Sequence, residues 1–164
     1  MQKQETGKQF ERLIRENELL IHKVCRVYAI TEEDRKDLFQ EIVIQLWKAY
    51  PKFEEQSKFS TWLYRVSINT AITGLRKQKN LITSYELLNT EIGDDNYSEE
   101  EEERMQQLYT AIEHLNQVEK AIVMLYMEDK QYNEMEEILG ISQGNLRVKM
   151  NRIKEKLREL TKTN

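Results

Sequence analysis

Apolar residues recur every three or four positions along most of the chain, which is the spacing of one face of an α-helix. In the first half of the chain these positions are Phe10, Leu13, Ile14, Leu20, Ile21, Val24, Val27, Leu38, Ile42, Leu46 and the adjacent Trp47. In the second half they are Met105, Leu108, Ile112, Leu115, Ile122, Leu125, Tyr126, Met135, Ile138 and Leu139. The 164 residues include five Gly and one Pro, too few for a fold built from many tight turns. The pattern therefore predicts an all-α protein.

Some helix ends can be placed from residues with known preferences for those positions. Thr31 can cap a helix by accepting a hydrogen bond from the N–H of Asp34. Pro51 ends that helix, because proline disfavours helical geometry in the residue before it. Ser60 is a plausible N-cap for the helix that follows. These residues predict a long helix between Thr31 and Pro51 and another from about Ser60.

An acidic segment separates the two halves of the pattern. Residues 86–103, ELLNTEIGDDNYSEEEEE, hold nine acidic residues and no basic one. Like charges repel and little apolar area is available for burial, so we expect a flexible linker. The prediction is two small helical domains, 1–85 and 105–164, joined by a linker over 86–104. Its carboxylates either serve as a solvated spacer or make weak, salt-screened contacts with basic faces of the free protein.

Composition and motifs narrow the class of protein. Cys25 is the single cysteine, which excludes an intrachain disulfide and a cysteine-based zinc site; we expect it to be a buried structural thiol. His22 and His114 fall in different predicted domains, and the sequence has no Gly-rich phosphate loop, H-E-x-x-H pair or nucleophile elbow. We therefore expect no catalytic activity and no cofactor. No apolar run approaches the ~20 residues of a membrane span, which favours a soluble cytoplasmic protein.

One segment is basic although the chain has a net charge of -4. Residues 57–80, SKFSTWLYRVSINTAITGLRKQKN, contain five basic residues and no acidic one. On a helical wheel the core side of this segment holds Tyr64, Ile68, Ala71, Ile72 and Leu75. The opposite side holds Trp62, Asn69, Thr73 and Arg76, with Arg65 and Val66 flanking them. These side chains suit base stacking, base-edge hydrogen bonding and phosphate contact; an equally weighted alternative is a solvated basic face with Trp62 packed against the next helix.

A second candidate surface lies in YNEMEEILGISQGNLRVKMNRIKEKLREL, residues 132–160. Gly140 can end a first helix in the left-handed conformation, and Ser142 can cap a second, which is the layout of a helix-turn-helix. The core stripe of the second helix is Leu146, Met150, Ile153, Leu157 and Leu160. Its outer face is Val148, Asn151, Arg152, Glu155 and Arg158, with Arg147 at the helix start. An ordinary helical hairpin is the alternative, but Val148 gains nothing in solvent and could contact a thymine methyl in a major groove.

In their order along the chain, these segments resemble the extracytoplasmic-function sigma factors of bacterial RNA polymerase. The segment DRKDLFQEIVIQLWKAYPKF (residues 34–53) is similar to the polymerase-binding helix of that family. KFSTWLYRVSINTAITGLRK (residues 58–77) is similar to the helix that reads and opens the minus-ten element. Residues 115–158 are similar to the helix-turn-helix domain that binds the minus-thirty-five element. The resemblance implies a transcription initiation factor whose partners are core RNA polymerase and promoter DNA, with an anti-sigma factor as a further candidate.

The resemblance also implies roles for individual residues. Asn69 matches a minus-ten base reader, and Phe53 matches an aromatic residue that helps to hold an extruded base. Combined with the outer face of the basic segment, these two residues give the predicted DNA-binding set on the first domain: Phe53, Trp62, Arg65, Asn69, Thr73, Arg76 and Lys77. On the helix-turn-helix it is Arg147, Val148, Lys149, Asn151 and Arg152. The polymerase-binding set is Asp37, Leu38, Gln40 and Glu41.

A helix-turn-helix regulator that binds duplex DNA without polymerase is the main rival interpretation. It accounts for the second half of the chain but leaves Trp62, Asn69 and the DLFQE helix without a role. Salt-dependent binding of the protein alone to a duplex favours the regulator, and a requirement for core polymerase excludes it.

Overall fold

The structure is a computed structural model that describes residues 1–78 and 98–162, and the side chains of 75–78 are outside the description. The helices are α1 (Gln2–Glu16), α2 (Glu18–Tyr28), α3 (Glu32–Ala49), a 3-10 turn (Tyr50–Lys52), α4 (Phe59–Gln78), α5 (Glu99–Glu113), α6 (Gln117–Met127), α7 (Tyr132–Leu139) and α8 (Gln143–Lys162). Within the described ranges there is no strand, so the all-α prediction is confirmed. The chain divides into two compact units, Met1–Tyr85 and Glu86–Asn164.

The first unit is built on three mutually packed helices, α2, α3 and α4. Each supplies apolar side chains that are completely shielded from solvent, including Ile21, Val24, Ile42, Leu46 and Leu63. As expected, the side chain of Thr31 accepts a hydrogen bond of 3.1 Å from the N–H of Asp34 at the start of α3. α3 ends at Ala49, and Pro51 lies in the 3-10 turn after it. Cys25 is buried in this core, as predicted.

The start of α4 differs from the prediction. Ser60 was expected to cap this helix, but α4 already begins at Phe59. The first helical hydrogen bond runs from the N–H of Trp62 to the carbonyl of Lys58, at 3.2 Å. Ser60 therefore lies inside the first turn, and the earlier start places Phe59 on the helix rather than in the loop.

The second unit places α5, α6 and α7 against the long helix α8. Its completely buried side chains come from all four helices and include Ile112, Ile122, Leu125, Met135, Leu146 and Ile153. Gly140 ends α7 in the left-handed conformation with φ 71°, a conformation that costs glycine no side-chain clash. The N–H of Asn145 donates to the side chain of Ser142 at 3.3 Å. The predicted turn between the two helices is therefore confirmed.

The acidic segment is partly helical, which corrects the expectation of a flexible linker for Glu99–Glu103. These five residues form the first turns of α5, and Ser98 caps the helix with Glu101 in a reciprocal capping box. Carboxylates in a first helical turn face the positive end of the helix dipole, so charge that repels in an extended chain stabilises the helix here. Residues 86–97 of the predicted linker lie outside the described residues.

Candidate nucleic-acid interface

One long face of α4 is open to solvent. Asn69, Thr73 and Arg65 are exposed on it, as the helical wheel predicted. The opposite side of α4 is buried, and it includes Tyr64, Ile68 and Ala71 of the predicted stripe. Ile72, expected in that stripe, is half-buried, whereas the completely buried Leu63 and Ser67 were not predicted to belong to it. The reason is that α4 contacts both α2 and α3, so its buried face is wider than a single stripe.

At the N-terminal end of this face three aromatic rings pack together. The Phe53 ring centroid is 5.0 Å from that of Trp62 and 5.7 Å from that of Phe59. The Phe59 and Trp62 centroids are 5.5 Å apart. All three side chains are half-buried, so their rings are held by packing yet partly accessible. We call these three residues the aromatic cluster; Phe59 is its member that sequence reasoning missed.

The predicted basic residues Arg76 and Lys77 lie near the C-terminal end of α4. Their side chains are outside the described part of the structure. Their assignment to the DNA-binding set stays a prediction.

A second exposed face lies on α8. Arg147, Lys149, Asn151 and Arg152 are all exposed, and Val148 is 50% exposed at the centre of their surface. The residues that hold α8 in place, Leu146, Met150 and Ile153, are buried, while Leu157 and Leu160 of the same stripe are half-buried. The helix therefore presents guanidinium, ammonium and amide groups around one apolar side chain. That combination can contact phosphates, base edges and a thymine methyl.

The first turn of α7 supports the start of this face. The guanidinium of Arg147 lies over the Tyr132 ring, 5.1 Å from its centroid. Both residues line a hollow of about 460 Å³ whose other walls are Tyr126, Lys130, Gln131, Asn133 and Gln143. The sequence placed Tyr132 in the first helix of the helix-turn-helix but gave no sign that it would contact Arg147.

An ion pair joins α8 to α6. Glu119 is nearly buried, and both of its carboxylate oxygens lie 3.0 Å from the Nζ of Lys156. The same carboxylate accepts a hydrogen bond from the N–H of Asn116, whose side chain in turn accepts from the N–H of Glu119. Glu119 thus completes the capping box of α6 and also binds Lys156 of α8, which lies 37 residues later in the chain.

The predicted polymerase-binding residues share an exposed face of α3. Asp37, Gln40 and Glu41 are exposed and Leu38 is half-buried. Two apolar side chains continue the same helical face toward the C-terminus of α3, namely Ile44, 46% exposed, and Trp47, 47% exposed. The periodic apolar pattern of the sequence includes Trp47 but not Ile44, and it does not predict that either side chain is exposed. Exposed apolar residues beside polar ones are typical of a protein-binding surface.

Neither a metal centre nor a membrane segment appears in the part of the chain that the structure describes. No group of three His, Cys, Asp or Glu side chains in residues 1–78 and 98–162 is arranged to hold a metal ion. No helix in these ranges has the length and hydropathy needed to cross a bilayer.

Comparison with known families gives two matches. Residues 13–81 match Sigma-70 region 2, and residues 105–157 match Sigma-70, region 4. The first match contains α3 and α4, and the second contains α6, α7 and most of α8. The exposed faces of α3, α4 and α8 described above therefore fall within matched segments.

Individual relatives agree with these matches. The chain is 27% identical over 153 residues to the ECF RNA polymerase sigma factor SigW of Bacillus subtilis, covering 85% of this chain and 81% of SigW. It is 29% identical over 150 residues to the ECF RNA polymerase sigma-E factor of Escherichia coli K12, covering 82% and 78%. A match to SigG of Mycobacterium tuberculosis is 39% identical over 62 residues, but it spans 38% of this chain and 16% of that relative.

Solved structures share the fold. The sigma factor RpoE of Bartonella quintana, solved with the anti-sigma factor NepR, superposes with a TM-score of 0.73 at 18% identity and covers 96% of this chain and 99% of that one. CnrH, solved with the cytosolic domain of CnrY, gives a TM-score of 0.70 at 16% identity, covering 96% and 90%.

Proposed function

The chain belongs to the sigma-70 family, in its extracytoplasmic-function branch, and we propose that it binds core RNA polymerase in the cytoplasm and directs initiation at specific promoters. The observation that carries this proposal is the pairing of two different DNA-suited faces in one chain. One combines the aromatic cluster with the exposed Asn69, and the other is the outer face of α8. In this proposal residues 1–85 form the region 2 domain, residues 105–164 form the region 4 domain, and the segment between them is the tether.

The α4 face suits an opened minus-ten element. A base that leaves the duplex loses its stacking, and a protein can replace that stacking with aromatic rings and read the base edge with an amide. The aromatic cluster offers partly accessible rings, and Asn69 offers an exposed amide on the same helix. Arg65 and Thr73 supply a cation and a hydroxyl for phosphate oxygens. We assign capture of the extruded base to Phe53 and Trp62, and reading of a base edge to Asn69.

The α8 face suits the major groove of an intact minus-thirty-five element. A recognition helix inserts its N-terminal half into the groove, where side chains reach base edges. Arg147, Val148 and Asn151 lie in that half of α8, and all three are exposed. We assign base contacts to these three residues, and phosphate contacts to Lys149 and Arg152.

The exposed α3 face suits core polymerase. Its polar residues Asp37, Gln40 and Glu41 give orientation, and Ile44 and Trp47 add apolar area that gains from burial. We assign the polymerase contact to this face, with Leu38 at its edge. We also propose an anti-sigma factor as a regulatory partner, because one structure with the same fold was solved with such a partner.

In vitro transcription tests the function directly. We expect the purified chain, added to core polymerase and a library of promoter templates, to produce transcripts that core polymerase alone does not make. DNA that the free protein binds as tightly as the reconstituted holoenzyme does, without any polymerase-dependent transcript, would instead establish the duplex-binding regulator.

A further inference from the structure

Helix α1 buries one aromatic side chain against the rest of its unit. Phe10 is the buried residue of α1, with 7% of its surface exposed. The other apolar residues of this helix between Gly7 and Glu16 are half-buried. Phe10 also precedes residue 13, where the Sigma-70 region 2 match begins. The helix therefore adds a contact that the matched segment does not itself contain.

Phe10 sits between two rings of the adjacent structure. Its ring centroid is 5.0 Å from that of Trp47 at the end of α3, with the planes at 63°, and 5.2 Å from that of Tyr50 in the 3-10 turn, with the planes at 58°. These are the separations and tilts at which aromatic pairs attract. Phe10 thus packs on the two aromatic residues that border the end of α3.

The contacts continue from Tyr50 into the aromatic cluster. The Tyr50 ring centroid is 6.3 Å from that of Trp62, and Trp62 contacts Phe53 and Phe59. The Tyr50 ring therefore lies close to both the Phe10 ring and the Trp62 ring. Because Tyr50 belongs to a short 3-10 turn, a helix type with poorer hydrogen-bond geometry than an α-helix, the position of its ring depends on these neighbours.

We propose that Phe10 is a positioning residue for promoter opening. By packing between Trp47 and Tyr50, it holds Tyr50 against Trp62 and so fixes the rings that receive an extruded base. Phe10 has no DNA contact in this proposal and acts only through Tyr50. The proposal rests on the base-capture role assigned above to the aromatic cluster.

Fluorescence tests the geometry without polymerase or DNA. The chain has two tryptophans, and Trp47→Phe leaves Trp62 as the sole indole while keeping a ring beside Phe10. In this full-length background we expect Phe10→Leu to increase quenching of Trp62 by acrylamide and to move its emission to longer wavelength. Leu13→Ala, a truncation of a half-buried apolar residue on the same helix, is the control for general loosening of α1. Trp62 emission that Phe10→Leu leaves unchanged, or that Leu13→Ala alters equally, would overturn the proposal.

Promoter opening tests the function, with the native tryptophans and reconstituted holoenzyme. With core polymerase at saturating concentration, we expect Phe10→Leu to slow opening roughly 3- to 10-fold, the range for loss of one aromatic pair, with minus-thirty-five occupancy unchanged. On a template whose minus-ten strands are mismatched and already separated, the deficit should shrink, whereas a folding defect would persist on both templates. Phe10→Tyr, which keeps a ring, should open promoters faster than Phe10→Leu.

The variants Trp62→Ala and Asn69→Ala test the base-capture role separately from the positioning role of Phe10. Normal opening by both of them would contradict the base-capture role and the proposed function. Impaired opening by both, together with normal opening by Phe10→Leu, would overturn the positioning role of Phe10 alone.

Discussion

The guanidinium of Arg147 lies over the ring of Tyr132, with its carbon 5.1 Å from the ring centroid. This contact joins the first turn of α7 to the first half of α8, across the left-handed Gly140. An Arg side chain loses considerable rotamer entropy when it binds. A ring that already restricts the guanidinium lowers that loss, so we expect the contact to favour the proposed binding of DNA by Arg147.

A first prediction concerns replacement of the Tyr132 ring and the proposed minus-thirty-five contact. We expect Tyr132→Leu to lower the affinity of the holoenzyme for an upstream promoter fragment by about 0.5–1 kcal/mol, the value of an exposed cation–π contact. Tyr132→Phe retains the ring and should bind like the parent. Fluorescence anisotropy with a labelled fragment measures both. Tighter binding by Tyr132→Leu would mean that the ring holds Arg147 away from DNA.

Charge reversal tests the proposed polymerase contact of the α3 face. We expect Gln40→Lys combined with Glu41→Lys to reduce core binding at least tenfold, because like charges placed at an interface cost several kcal/mol. Glu5→Lys combined with Gln9→Lys on α1 is the matched control, since it changes the same two residue types at exposed positions. Pull-down of core polymerase, with circular dichroism to verify folding, gives the result. Equal recovery with both double variants would exclude this face.

The proposal predicts that the α4 face and the α8 face act at different steps of initiation. We expect Asn69→Ala to impair strand opening by about 1–3 kcal/mol, the cost of losing a base-specific hydrogen bond, with little change in upstream contact. Arg152→Ala should instead lower promoter occupancy and reduce its salt dependence. Permanganate reactivity of unpaired thymines measures opening, and footprinting measures occupancy. The assignment fails if Asn69→Ala opens DNA as well as the parent while occupying it less.

Glu119 stabilises the second unit in two ways. We expect Glu119→Ala to lower the free energy of unfolding by about 1–2 kcal/mol, because it removes both the capping box of α6 and the partner of Lys156. Lys156→Gln removes the ion pair alone, and the side chain of Lys156 is 55% exposed, so its effect should be smaller. Urea titration followed by circular dichroism compares the two. An equal loss in both variants would assign the whole effect to the ion pair.

Burial of Cys25 makes the first unit sensitive to alkaline pH. Loss of hydration raises the pKa of the Cys25 thiol from 9.0 to about 12, a rise that the charge of Arg35 opposes. Folding therefore favours the neutral thiol, so this contribution to stability is complete below pH 9.0 and falls as the pH rises toward 12. We expect the unfolding temperature of Cys25→Ala to decline less steeply than that of the parent above pH 9.0. Parallel declines would contradict a buried neutral thiol.

Periodicity alone determined the helical class and most of the buried positions. Leu146, Met150 and Ile153 of the predicted α8 stripe are buried, and Val148 is exposed among polar residues as expected. Such predictions succeed because a helix has a fixed 3.6-residue repeat, so side-chain direction follows from local spacing. End preferences are similarly local, which is why the roles of Thr31 and Gly140 were predicted from their residue types.

In the acidic segment, composition and helix-capping residues predict different structures. Glu99–Glu103 has the composition of a solvated linker, but Ser98 and Glu101 give it a helix start. Composition averages over a segment, whereas capping depends on two residues three positions apart. The capping box and the favourable interaction of first-turn carboxylates with the helix dipole stabilise the start of the helix, and Ala111 and Ile112 are buried nearer its end.

The sequence by itself therefore determined the helices, the helix-turn-helix and the residue types on both exposed faces. Only the tertiary structure decided which distant side chains meet: Phe10 with Tyr50, Tyr132 with Arg147, and Glu119 with Lys156. The physical reason is that helical spacing defines the direction of a side chain relative to its own helix axis, whereas contacts between helices depend on how whole buried faces pack. The spacing of residues within one helix therefore does not predict which side chains of other helices it will contact.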